Sequence, residues 1–198
     1  STPKHADDPF RITNPGGVIQ GMLAGLGTRM LGLSRLGRHY RRIPRRRDGG
    51  SFSELALHEL GIGIDLEQEA LDRIPREGPL VLVANLPFGG LEGLAMMGAA
   101  TRVRKDFRVM ANHLLQRIPE LREMVIPVDV FGSEEAARKN YTPLRQCLKW
   151  LARGGAMGVF PAGEVATFRP RARAVLDPPW SPTVARLVRR SGATVVPI

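Results

Sequence analysis

Leu80-Val81-Leu82-Val83-Ala84 runs directly into Asn85-Leu86-Pro87-Phe88-Gly89-Gly90-Leu91-Glu92-Gly93. Five consecutive apolar residues predict a strand buried on both faces, the mark of a parallel sheet covered by helices. A helix is predicted from about Leu91. Upstream, Arg76-Glu77-Gly78 reads as a turn, and Ile62, Ile64 and Leu66 alternate as in a strand. Asp48-Gly49-Gly50-Ser51 is a break, after which Ser53-Glu54-Leu55-Ala56-Leu57 reads as a capped helix start ending near Gly61. Downstream the signals keep alternating: a strand from Phe107 to Met110, a helix from about Asn112, and a strand from Met124 to Val128. A helix around Ala136 to Ala152, a strand from Ala156 to Phe160, a helix from Ser181 to Arg190 and a strand from Ala193 to Pro197 follow. This order predicts an α/β fold with a largely parallel sheet flanked by helices.

The chain has 198 residues, enough for one domain with a substantial core. Hydrophobic residues at 43% and charged residues at 24% exclude wholesale disorder. A net charge of +10 points to an anionic partner, nucleic acid or lipid headgroups. Aromatics are only 6%, and no recognition motif of the common nucleic-acid folds is found, so nucleic acid is not expected. The single Cys147 excludes an internal disulfide and joins Leu144, Leu148 and Leu151 in a helical stripe, which marks it as core.

Residues 1–50 form a distinct unit. Ile19, Met22, Leu23, Leu26, Met30 and Leu33 recur at helical spacing, in an apolar run too short to span a bilayer. Arg41, Arg42, Arg45, Arg46 and Arg47 follow, so the segment is expected to be an N-terminal amphipathic helix facing an anionic membrane. A helical hairpin packed on the domain with solvated arginines is the plainer reading of the same residues. Ser1 to Asp8 lack the pattern of a secretory signal, so a cytoplasmic location is expected. Residues 51–198 form the α/β domain, and its ending on Thr194-Val195-Val196-Pro197-Ile198 predicts truncation at the C-terminus.

In α/β sheets ligands bind beyond the carboxyl ends of strands. Two junctions there are unusual: residues 85–93, and Phe160-Pro161-Ala162-Gly163-Glu164-Val165. Gly89 and Gly90 let the backbone approach a ligand at a helix mouth, whose N–H groups suit an oxyanion. Glu92 falls in the first helical turn, where either a catalytic role or simple dipole stabilisation explains it.

The combination resembles the lysophospholipid and glycerophospholipid acyltransferase superfamily, in particular its bacterial hemolysin-like and ornithine-lipid-type branch. In that branch the first stretch usually reads Ala-Asn-His-Pro, a variable residue, Gly-Gly-Leu-Asp or Glu, Gly. Phe160 to Val165 is similar to the branch's second motif, and Ile118-Pro119-Glu120-Leu121, Ile126-Pro127-Val128-Asp129, Arg138-Lys139-Asn140 and Ser181-Pro182 resemble its recurring elements. The likeness runs from about Gly50 to Ile198.

The resemblance implies fatty acyl transfer from acyl-CoA or acyl carrier protein to a lysolipid hydroxyl, with no metal and no cofactor beyond the acyl donor. It also implies a peripheral position at the cytoplasmic face of the inner membrane and a role in phospholipid biosynthesis. A His oriented by a nearby acid would take the hydroxyl proton. By position Glu92 is that acid; Asn85, Pro87, Gly89, Gly90, Phe160, Pro161, Gly163 and Glu164 line the substrates; and Leu86 stands where the family keeps its His. Glu164 takes the usual Thr position of the second motif. A leucine accepts no proton, so this chain is expected to be catalytically disabled, either as an altered form of an enzyme or as a lipid-binding pseudoenzyme. Of the four histidines, only His113 falls at a strand end; His5 lies in the tail, His39 among arginines and His58 on a helix before the sheet.

Overall fold

The computed structural model describes residues 39–43, 51–128 and 141–198. The order of elements is α1 (Phe52–Glu59), α2 (Gln68–Asp72), β1 (Leu80–Val83), α3 (Gly90–Val103), β2 (Arg108–Asn112), β3 (Val125–Val128), α4 (Tyr141–Ala152), β4 (Ala156–Val159), β5 (Thr167–Arg169), β6 (Ala174–Leu176), α5 (Pro182–Ser191) and β7 (Thr194–Pro197). Two 3₁₀ turns, His113–Arg117 and Pro119–Leu121, join β2 to β3. Five strands form one parallel sheet in the order β3-β2-β4-β1-β7, and β5 and β6 pair as an antiparallel hairpin. The fold is α/β with a parallel sheet flanked by helices, as expected.

Strand β1 is buried along its whole length because both its faces are covered. Leu80 and Leu82 join Met96 and Met97 of α3 in one core layer, while Val81 and Val83 join Cys147 and Leu151 of α4 and Leu187 of α5 in the other. This is the period-two alternation of a strand with an apolar layer on either side. Cys147 is fully buried, and burial pushes its thiol up to about 12, consistent with a core residue. Gly158 in β4 occupies the place where a Cβ would run into Met96 and Phe107, so the second motif's strand is bare for packing reasons.

Several expectations need correction. Residues 62–67 form no strand: Ile62, Ile64 and Leu66 do turn alternately inward, but no strand among the described residues pairs with them. The cap of α1 is Ser51, not Ser53: its hydroxyl accepts from the Glu54 N–H while the Glu54 carboxylate accepts from the Ser51 N–H, a reciprocal capping box. Ser53 is buried inside the helix. The segment from Asn112 winds as 3₁₀ rather than α-helix, because Pro119 interrupts it after one turn and a half. The short α2 and the β5–β6 hairpin were not anticipated. The expected helix over Ala136 to Ala152 is observed from Tyr141; its first residues, with Asp129 and Arg138-Lys139-Asn140, lie outside the described residues.

Candidate active site

Two connections leave the sheet in opposite directions from adjacent strands. From β1 the chain passes through α3 to β2 on one side, and from β4 it passes through the hairpin and α5 to β7 on the other. In α/β sheets ligands bind beyond the carboxyl ends of strands whose connections part in this way, here β1 and β4. The two strands pair in register up to Val83 and Val159, and the Ala84 N–H still donates to the Val159 carbonyl at 3.4 Å. Both unusual junctions therefore start side by side.

Beyond the strands the two loops stay joined. The Ala166 N–H donates to the Leu86 carbonyl at 3.3 Å, and a Cβ on Gly89 would stand 3.2 Å from Val165 Cγ1. Gly89 has φ +95°, which only glycine adopts without strain, so the turn into α3 needs a glycine there for its backbone alone. Gly163 has φ +71° in a turn closed by its N–H donating to the Phe160 carbonyl at 3.0 Å. Pro161 is buried, and its carbonyl accepts from the Ser181 N–H at 2.9 Å, which ties the start of α5 to the same cluster. Phe160 is half-buried against the core; Asn85, Pro87, Gly90 and Glu164 are exposed.

Helix α3 has no side-chain cap at Gly89. Glu92 reaches back instead, Oε1 accepting from the Phe88 N–H at 2.9 Å. That bond orders the loop and accounts for one carboxylate oxygen. The other, Oε2, is buried without a hydrogen-bond partner among the described residues. A buried carboxylate oxygen left unsatisfied is costly and calls for an explanation.

The described histidines lie elsewhere. His58 is exposed on α1, and His39 Nδ1 is 3.3 Å from Glu59 Oε1. His113 is exposed at the end of β2, which β4 separates from β1. Arg42 lies 3.8 Å from Glu59, and Arg41 is described as part of the same helical turn; Arg45, Arg46 and Arg47 lie outside the described residues. No described helix is long and apolar enough to cross a membrane. Sequence reasoning did not pair Val165 and Ala166 with the first motif, nor Ser181 with Pro161; the adjacency of β1 and β4 sets the first contact and the path of the chain into α5 the second.

A family model described as acyltransferase matches residues 50–198, a stretch that includes both loops and every strand of the sheet. The chain belongs to the acyltransferase family. No curated protein matches it significantly. In this member of the family the two loops that sequence reasoning singled out lie side by side, one carrying Leu86 and leading to Glu92, the other running from Phe160 to Val165.

Proposed function

We propose that the two loops beyond the carboxyl ends of β1 and β4 form an acyl-transfer site for an acyl thioester, on coenzyme A or acyl carrier protein, and a lysolipid hydroxyl. On this reading the chain is of the bacterial hemolysin-like, lysophospholipid branch and works as a peripheral protein at the cytoplasmic face of the inner membrane. Residues 1–50 are its membrane-facing segment and 51–198 its catalytic domain. The observation that supports it is Glu92: one oxygen is held by the Phe88 amide and the other is buried and unmatched. A carboxylate fixed in that way is suited to accept the Nδ1–H of an imidazole, and six residues earlier the family keeps a His where this chain has Leu86.

With His at that position the chemistry balances. The imidazole takes the proton of the acceptor hydroxyl, whose oxygen attacks the thioester carbonyl; the tetrahedral oxyanion faces the N–H groups of the first turn of α3; the carbon–sulfur bond then breaks and the thiolate takes up the proton. Leu86 supplies no base. The present chain is therefore expected to turn over about 10²- to 10⁴-fold more slowly than one with the base.

The decisive experiment is transfer from a labelled acyl thioester to a panel of lysolipids by the chain and by Leu86→His, in a full-length protein. Activity rising by that factor in the histidine variant supports the reading. Equal turnover by both means that the base lies elsewhere. Leu86 itself favours a second reading, a lipid-binding pseudoenzyme, for which a folded Leu86→His protein would bind acyl thioester and still not transfer it.

A further inference from the structure

The hairpin leaves the candidate site immediately after Ala166, the residue bonded to Leu86. Phe168 and Val175 are directly opposed across its two strands, so their side chains share one face. That face is largely open: Phe168 is 62% exposed and Val175 63% exposed. From the last residue of β5 to the start of β6 the chain reads Arg169-Pro170-Arg171-Ala172-Arg173, and all three arginines are exposed and unpaired with any carboxylate among the described residues. Trp180, 54% exposed, stands next to Ser181, whose N–H is anchored on Pro161 of the second loop.

An exposed apolar cross-strand pair has a desolvation gain that the folded domain leaves unused. The three exposed arginines of the same hairpin select what covers the pair: the covering surface must be apolar a few ångströms deep and anionic at its rim. A bilayer with anionic headgroups has this order, with apolar side chains reaching the acyl boundary, arginines at the phosphates and a tryptophan at the interface. An acidic protein or a nucleic acid would match the arginines and leave Phe168 and Val175 without a role. We propose that the β5–β6 hairpin docks on anionic lipid bilayers, bringing the mouth of the candidate site to the surface that holds its acceptor. The lipid nature of the acceptor rests on the functional reading above; the docking itself is measured without any turnover.

The test uses the complete chain with vesicles of 1:1 phosphatidylglycerol and phosphatidylcholine. Replacing Arg169, Arg171 and Arg173 together by Gln is expected to lower the partition coefficient in vesicle sedimentation about a hundredfold, at roughly tenfold or less per arginine. Phe168→Ser with Val175→Ser is expected to weaken it at fixed charge. Because Cys147 is buried, a second variant, Val175→Cys, accepts an environment-sensitive fluorophore selectively. Its emission should shift to the blue with these vesicles and be quenched by spin-labelled lipid. Unshifted emission, or partitioning unchanged in all hairpin variants, overturns the proposal even if the chain binds membranes through residues 1–50. So does a shift produced by acidic carrier protein or oligonucleotide but not by vesicles. An absence of acyl transfer in every variant would sink the functional reading and leave these outcomes untouched.

Discussion

At the amino ends of β1 and β4 one guanidinium uses every donor it has, whereas at the carboxyl ends of the same strands a buried carboxylate oxygen has no partner among the described residues. Arg104, 4% exposed, donates from Nε to Asp106 Oδ1 at 2.8 Å, from Nη1 to the carbonyls of Pro75 at 3.1 Å and Gly78 at 3.0 Å, and from Nη2 to Asp106 Oδ2 at 2.8 Å and the Gly154 carbonyl at 2.7 Å. All the donors of the fork are used. Gly78 and Gly154 lie two residues before β1 and β4, so this single side chain fastens their entry points together. Nearby, Trp150 Nε1 donates to the Ala156 carbonyl at 3.0 Å, and the Arg108 guanidinium lies 3.8 Å over the Trp150 ring. The other end holds the Glu92 oxygen without a partner among the described residues, the 78% exposed Phe88 and the exposed hairpin. Local consistency belongs to the end that fastens the fold, and its absence to the end where a ligand would complete it.

The largest expected effect is the gain in transfer by Leu86→His, which changes rate and not stability. If the comparison is right, Arg104→Met does the opposite. It strands Asp106 and three carbonyls, and is expected to destabilise the fold by about 3 kcal/mol, read as a lower midpoint in urea with an unchanged slope. In a Leu86→His background it should leave the transfer rate per folded molecule unchanged. A stability loss below about 1 kcal/mol would break the assignment of fastening to this end. The pH dependence sharpens it. The Asp106 carboxyl is held below its usual value chiefly by the hydrogen bonds from Arg104, against a smaller opposing effect of burial. A carboxyl lowered on folding contributes stability above its unfolded value near 3.8, and that contribution is lost as pH falls through the folded value. The acid limb of a stability profile should therefore flatten in Arg104→Met.

Gly89→Ala should have a smaller effect, at the other end. Its φ of +95° strains any side chain, while the contact with Val165 Cγ1 at 3.2 Å yields by a few tenths of an ångström. A loss of about 1–3 kcal/mol is expected from the backbone. Here, unlike at Arg104, transfer by the Leu86→His protein should fall as well, because the alanine pushes the two loops apart. Stability lost with activity kept would separate the turn from the site.

This contrast also explains what could be read in the sequence. Strands β1 and β4 were legible because burial on both faces leaves them wholly apolar, and α4 because its stripe includes Cys147. The loops after β1 and β4 stood out by their glycines and prolines, and the resemblance ordered them. Arg104 was invisible: its partners are mostly carbonyls, which leave no side-chain signature and come from residues up to fifty positions away. The Ile62, Ile64 and Leu66 alternation misled because half-burial along an irregular segment repeats the period of a strand without a partner strand. The hairpin escaped because its strands have three residues each and Pro170 lies between them.

The smallest effect is expected for Ser181→Ala. The Ser181 hydroxyl accepts from the Thr183 N–H at 3.2 Å and caps α5, with Pro182 at its first position. Loss of the cap should cost about 1 kcal/mol. The link to the second loop, however, runs from the backbone N–H of residue 181 to the Pro161 carbonyl, and alanine retains it. Stability and function should therefore separate: a slightly lower urea midpoint, and unaltered transfer by the Leu86→His protein. Proline at the same position removes the N–H and should loosen Pro161 along with the cap. If alanine impairs transfer as much as proline does, the hydroxyl itself serves the site, and the carboxyl end depends on one more side chain than Leu86, Glu92 and the two loops account for.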